Sequence, residues 1–291
     1  MRIANKSTYD MVKLHLSRIA DELNKANKVI ASGKRIIDLS DDPVGIVQAL
    51  KIRASLSNIE QMGRNIALGK SWLEASESAL SHAQDLVSDA KALCVQMATS
   101  TTGPDQRSAA AKTVQNLMKD LIALGNTMVD GRYIFAGSRT DTAPFSQDGT
   151  YNGDNYAFTI KIGQNATVKV GRDGQSMFQP SGGDIFQTLT DLKTDLENDN
   201  VRGIRNAMTR LDAFFDHITA EISDIGSKMV RMEIKEKILQ DLKITSRDRL
   251  SIFEDADMAE AIIDLKSKET AYKAALASSA RVMRLSLVDY L

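Results

Sequence analysis

The sequence predicts a mainly α protein: a long up-and-down helical bundle with coiled-coil character, paired N- and C-terminal helices and a small inserted β-rich domain. Three observations predict it. Apolar residues recur in alternating steps of three and four through most of the 291 residues, which is the seam spacing of packed helices. Aromatics are only 5% of the chain and prolines number four, a composition suited to long helices filled with Ala, Leu, Ile and Met. From Gly131 to about residue 183 that period is lost, and glycine and β-prone runs replace it.

Taken in order, Val12, Leu16, Ile19, Leu23, Ala26 and Ile30 mark the first seam, on a helix from about Thr8 to Ile30. Gly33 then falls on a seam position, where it offers no side chain and costs helix stability. Asp42-Pro43 reads as a new helix start, with Asp42 as cap and Pro43 where its missing N–H costs nothing. Residues 30–48 are therefore a joint between two helices, a device any bundle can use. Ala49, Ile52, Leu56, Ile59 and Ile66 line the next helix, roughly Val44 to Lys70. It leads into a third, Ser71 to Thr99, with Leu73, Leu80, Ala83, Val87, Ala90, Cys94 and Met97. Thr101-Thr102-Gly103-Pro104 ends it and Asp105 opens a fourth, lined by Val114, Leu117, Leu121, Leu124 and Met128.

The β-prone runs are Tyr133–Phe135, Tyr156–Ile162 and Thr167–Val170, separated by turns such as Asp148-Gly149 and Asn152-Gly153. Asp184 restarts the helices. One covers Ile185–Glu197; the next, Val201 to about Ser246, would span about 65 Å at ~1.5 Å per residue. The last begins near Met258 and carries Met258, Ile262, Leu265, Tyr272, Leu276 and Met283, with Leu287 and Tyr290 continuing an apolar flank. Glu269, Ser279 and Ser286 interrupt it. The expected division is 1–43 (N-terminal assembly helix and turn), 44–130 (core rod), 131–183 (outer β-rich domain), 184–250 (return of the rod) and 251–291 (C-terminal assembly helix).

Thirty-seven basic against 38 acidic residues leave no global field favouring nucleic acid or an anionic membrane. No apolar run approaches the ~20 residues needed to cross a bilayer. Lys6, Asp10 and Lys13 break up any secretion core, so no cleavable signal peptide is expected, and composition alone points to the cytoplasm. Cys94 lies on a seam and reads as a buried structural thiol. His15, His82 and His217 are isolated, and no zinc or phosphate-loop motif occurs. No cofactor, metal or catalytic residue is expected. Asp148 to Asn155 lacks the spacing of a calcium loop and reads as turn chemistry. Glu254, Asp255, Asp257 and Glu260 read as capping and inter-subunit contacts. Lys34 and Arg35 suit either an acidic patch on a neighbour or a solvated turn.

Gly33-Lys34-Arg35 with Ser40-Asp41-Asp42-Pro43 resembles the N-terminal signature of the bacterial flagellin superfamily. Gly131-Arg132-Tyr133-Ile134-Phe135-Ala136-Gly137, followed by Ala143-Pro144-Phe145, is similar to the hook-associated protein 3 family within it, the hook–filament junction proteins. Gly183-Asp184-Ile185-Phe186, Glu221–Arg231, Glu254–Asp257 and Ala271–Leu276 agree in order along the whole chain. The resemblance implies a non-enzymatic subunit of the flagellum, exported without a cleavable signal. It would form a ring with like subunits between an adjacent hook-associated protein and filament flagellin, after holding by an export chaperone. The implied assembly surface is Val12, Leu16, Ile19, Leu23 and Ile30 with Met258, Ile262, Leu265, Tyr272, Leu276, Met283, Leu287 and Tyr290. The turn Gly33, Lys34, Arg35, Asp41, Asp42 and Pro43 would set its angle. A short filament flagellin and a cytoplasmic helical scaffold are the alternatives.

Overall fold

A computed structural model describes residues 2–99, 101–163, 165–180 and 183–288, the side chains of 2–6, 8 and 282–288 excepted. Seven helices are described: α1 (Arg2–Ser32), α2 (Pro43–Met97), α3 (Pro104–Gly125), α4 (Gly174–Phe178), α5 (Ile185–Glu197), α6 (Val201–Glu254) and α7 (Met258–Val288). Four short strands accompany them: β1 (Met128–Val129), β2 (Arg132–Tyr133), β3 (Thr159–Lys161) and β4 (Thr167–Lys169). The chain forms two compact units, Glu60–Gln240 and the combination of Met1–Ile59 with Asp241–Leu291.

In the unit Glu60–Gln240, the buried positions of α2 include Ile66, Leu73, Leu80, Val87 and Cys94, and those of α6 include Ile204, Leu211, Ile218, Ile225, Met232 and Leu239. Both rows repeat every seven residues, the period that keeps one stripe of a helix facing a partner. Lys70 pairs with Glu236 at 3.1 Å and Gln84 donates to Thr219 at 2.8 Å; Lys91 pairs with Asp212. These partners run in opposite chain directions, so α2 and α6 are antiparallel here. Burial pushes the Cys94 thiol up to about 12, which removes its nucleophilic thiolate at ordinary pH.

The expected break between a second and third helix near Ser71 is absent, and α2 is one helix of 55 residues. Nothing at Lys70-Ser71 interrupts the ladder. The neighbouring Gly69 is instead a packing position: a Cβ there would lie 2.3 Å from Ile160 Cδ1. α3 packs along α5. The buried Arg107 of α3 donates to the carbonyls of Met97 (2.9 Å) and Thr99 (3.0 Å) and pairs with Asp199. It thereby satisfies acceptors that the end of α2 leaves open.

The segment after α3 is mostly turns with two short ribbons rather than a continuous sheet. β1 and β2 form a hairpin over Asp130-Gly131, both at positive φ (50° and 76°), as a two-residue turn of that hand requires. β3 pairs antiparallel with β4, Ile160 opposite Val168. Phe145 is the centre of an aromatic cluster, with ring centroids 5.3 Å from Phe178 and Tyr151 and 5.1 Å from Phe186. Asp148 accepts from Ser146 Oγ (2.8 Å), Thr150 N (3.1 Å) and Thr150 Oγ1 (2.8 Å), which hold its carboxyl down at about 2. That is an Asx turn.

In the other unit, α1 packs along α7. The Glu22–Lys268 ion pair of 2.7 Å and the antiparallel bridge Lys34–Asp255 make the two helices antiparallel. α6 continues past the expected end near Ser246 to Glu254, because the chain breaks only where Asp255 joins that bridge. Asp257 then caps α7, accepting from Ala259 N at 2.8 Å.

Gly149 has φ +85°, and a Cβ there would stand 2.6 Å from Phe186 Cβ. Gly149→Ala should therefore destabilise the unit by about 1–3 kcal/mol through backbone strain and overpacking of the aromatic cluster. Urea unfolding followed by near-ultraviolet circular dichroism would measure it; an unchanged midpoint would contradict that packing.

Candidate assembly site at the helix joint

The joint begins where α1 stops. Gly33 adopts φ +67° and its N–H returns to Val29 O at 2.8 Å, closing the last turn in the left-handed conformation that glycine tolerates best. The chain then runs extended beside the end of α6. Arg35 N donates to Glu254 O at 2.7 Å and Ala256 N to Gly33 O at 2.9 Å. Lys34 Nζ (3.2 Å) and Arg53 (2.6 Å) both reach Oε2 of Glu254, which is 7% exposed. Burial alone would push the Glu254 carboxyl up. The hydrogen bonds from Arg53 and Lys34 outweigh it and hold the group below its ordinary value.

Arg35 donates to Phe253 O at 3.0 Å and lies 3.4 Å from Asp42. Asp41 accepts from Ile37 N (3.2 Å) and Asp38 N (3.0 Å) and pairs with Lys25 at 2.5 Å. Lys25 foremost, then those N–H groups, draws the Asp41 carboxyl down to about 2. Asp42 caps α2 through Gly45 N at 2.8 Å, ahead of Pro43 in the first helical position. Thus Gly33, Lys34, Arg35, Asp41, Asp42 and Pro43 come together in one joint, with Lys34 and Arg35 engaged within the chain.

Along α1, Val12, Leu16, Ile19, Leu23 and Ile30 are half-buried and Ala26 is buried. On α7, Leu265 and Tyr272 are half-buried, as are Ala261 and Ala275, and Ser279 is buried. Met258, Ile262 and Leu276 are exposed, Ile262 by 52%. Tyr290 and the side chains of Met283 and Leu287 lie outside the described residues. Sequence reasoning missed the role of Glu254, which it grouped with the capping acids, and of Arg53, which it did not single out. The only local signal for Glu254 is its place at a helix end, where the dipole disfavours a carboxylate. Among the described residues no group of three or more His, Cys, Asp or Glu could hold a metal ion.

Because the folded Glu254 carboxyl lies below the ordinary 4.5, its contribution is complete above that pH. It is lost as pH falls through the lower folded value. Glu254→Gln should cost about 1–2 kcal/mol at pH 7, the worth of hydrogen bonds to a charged group at a half-exposed pair. It should also flatten the acid limb of the stability profile below 4.5. Urea midpoints of both chains from pH 3 to 7 would check this, and parallel profiles would refute it.

The bacterial flagellin N-terminal helical region matches residues 3–140. The chain is 25% identical to the flagellar hook-associated protein 3 of Salmonella typhimurium, over 99% of this chain and 98% of the relative. It is equally similar, at 25% and with the same coverage, to the protein of that name from Escherichia coli K12. Among solved structures, Bacillus cereus FlgL superposes with a TM-score of 0.61 and 26% identity, covering 69% of this chain and 99% of that one. The match over residues 3–140 and the end-to-end likeness lead to one conclusion: the chain is similar along its whole length to flagellar hook-associated protein 3, and its first half resembles the helical region of bacterial flagellin.

Proposed function

We infer that the chain is a structural subunit of the bacterial flagellum, an adaptor between hook and filament that assembles through its terminal helices. The end-to-end likeness to hook-associated protein 3 carries this reading, since it takes in both terminal helices and the joint. The pairing of α1 with α7 supports it physically. The pair keeps apolar residues on its outer faces, Tyr9, Met11 and Leu14 on α1 and Met258, Ile262 and Ile263 on α7. Such faces call for a covering partner. The finer reading is a ring of like subunits, seated on an adjacent hook-associated protein and carrying filament flagellin. The subunit reaches it by export, with a chaperone covering the apolar faces beforehand. It catalyses no reaction in this role. No described helix is long and apolar enough to cross a membrane.

A short filament flagellin is the second reading, favoured by the match over residues 3–140, a region named for flagellin itself. Chains added to fragments of hook and of filament separate the two: a band confined to the hook–filament boundary supports the adaptor, and long growth on filament seeds supports flagellin.

Met258→Asp with Ile262→Asp alters side chains that the isolated chain exposes, so melting should move little. Incorporation at hook tips should fail, because each side chain buried in assembly is worth about 1.5–3 kcal/mol. Wild-type incorporation by this variant would remove the outer face of α7 from the assembly surface.

A further inference from the structure

The joint carries a knob and a hole on different parts of its surface. The knob is Leu39, 72% exposed at the tip of the loop between α1 and α2. The loop is pinned behind it by Asp41, through Ile37 N, Asp38 N and Lys25. Because the loop backbone beside it is already held, burying this side chain needs little further ordering of the chain. The hole is a cleft of about 310 Å³, with Ile46, Ala49 and Leu50 on its walls and Lys34 and Arg53 sharing Glu254. That volume is at the bottom of the ~300–1,000 Å³ range of small-molecule sites, and the cleft's carboxylate is already engaged. It suits one aliphatic side chain better than a cofactor.

We propose that the Asp38-Leu39 tip of one copy seats in the Ile46–Leu50 cleft of the next. Charge favours this occupant. The cleft holds two cations against one carboxylate, leaving a positive excess, while the Asp38 carboxylate makes no ion pair among the described residues. The two features also face differently: Ile37 lines the cleft, whereas Asp38 lines a shallow groove along α1 with Asp21 and Lys25. A knob and hole at separate places make a head-to-tail contact, which propagates into rings or helices rather than closing as a dimer. The proposal rests on the junction reading and names the contact through which neighbouring subunits meet there.

Three full-length chains incubated with hook tips test it: wild type, Leu39→Asp, and Leu39→Cys combined with Leu50→Cys. The native Cys94 is buried, so it does not confuse cross-linking. The expected result is wild-type incorporation, incorporation of Leu39→Asp lower by about tenfold or more, the order for one desolvated leucine, and, after oxidation of the double variant, a ladder of chains joined by disulfides between positions 39 and 50. Leu39→Asp should melt as wild type does, since the side chain is exposed. Should Leu39→Asp incorporate like wild type, or the doubly substituted chains incorporate without linking 39 to 50, the knob-in-cleft contact is wrong and the junction reading stands. Should wild type itself fail to seat on hook tips, the junction reading falls and this contact with it.

Discussion

Two backbone hydrogen bonds, Arg35 N to Glu254 O and Ala256 N to Gly33 O, set the geometry of the unit that contains both terminal helices. The ends of α1 and α6 would otherwise leave the carbonyls of Gly33 and Glu254 open. The bonds fix the end of α1 against the start of α7, and the antiparallel pairing of the two helices follows from that point. The Lys34–Glu254–Arg53 cluster covers the ladder from the side. It works because the carboxylate is buried while both cations stay half in water. The pair interaction is therefore strong, and little desolvation opposes it on the cationic side. Asp42 and Gly45 finish the joint, since a Cβ at Gly45 would meet Asp42 Oδ2 at 2.4 Å.

The unit Glu60–Gln240 is built on a different principle. Its stability lies in a repeated apolar stripe on α2 and α6, to which polar ties add register rather than bulk burial. Its irregular segment has too few strands to stand as a sheet. Side chains that reach the helices compensate: Trp72 of α2 meets Phe158 at 5.3 Å, and Arg172 pairs with Glu221 at 2.8 Å and with Asp224. Phe145 and its neighbours act as a second, aromatic core where the seam residues do not extend.

The helical architecture is legible because seam spacing is a local property. Ile66 to Cys94 and Ile204 to Leu239 announce themselves without knowledge of their partners. The joint is legible for the same reason, since Gly33 and Asp42-Pro43 act on their own backbone. Glu254 is not, because its cations lie 220 and 201 residues away. Nor is the continuity of α2 through Ser71: Gly69 weakens a helix by propensity, and only the fold reveals that its missing side chain makes room for Ile160. On α7, large apolar residues mark an interface without saying which. Small Ala261, Ala275 and Ser279 lie with Leu265 and Tyr272 on the less exposed side, while Met258, Ile262 and Leu276 face outward. Asp130-Gly131 is a readable turn, but strands of only two residues give it no flanking pattern.

The discontinuity of the terminal unit governs the order in which the chain can acquire structure. Residues 60–240 form a compact unit from one uninterrupted stretch, whereas residues 1–59 form theirs together with 241–291. Contacts of such long sequence separation carry the greatest loop-closure entropy and form late unless an intervening element forms first and shortens the effective loop. Folding of residues 60–240 supplies that element. A chain delivered lengthwise from either end thus completes its middle before its two ends can meet, and the surfaces that α1 and α7 present to other molecules come into being last.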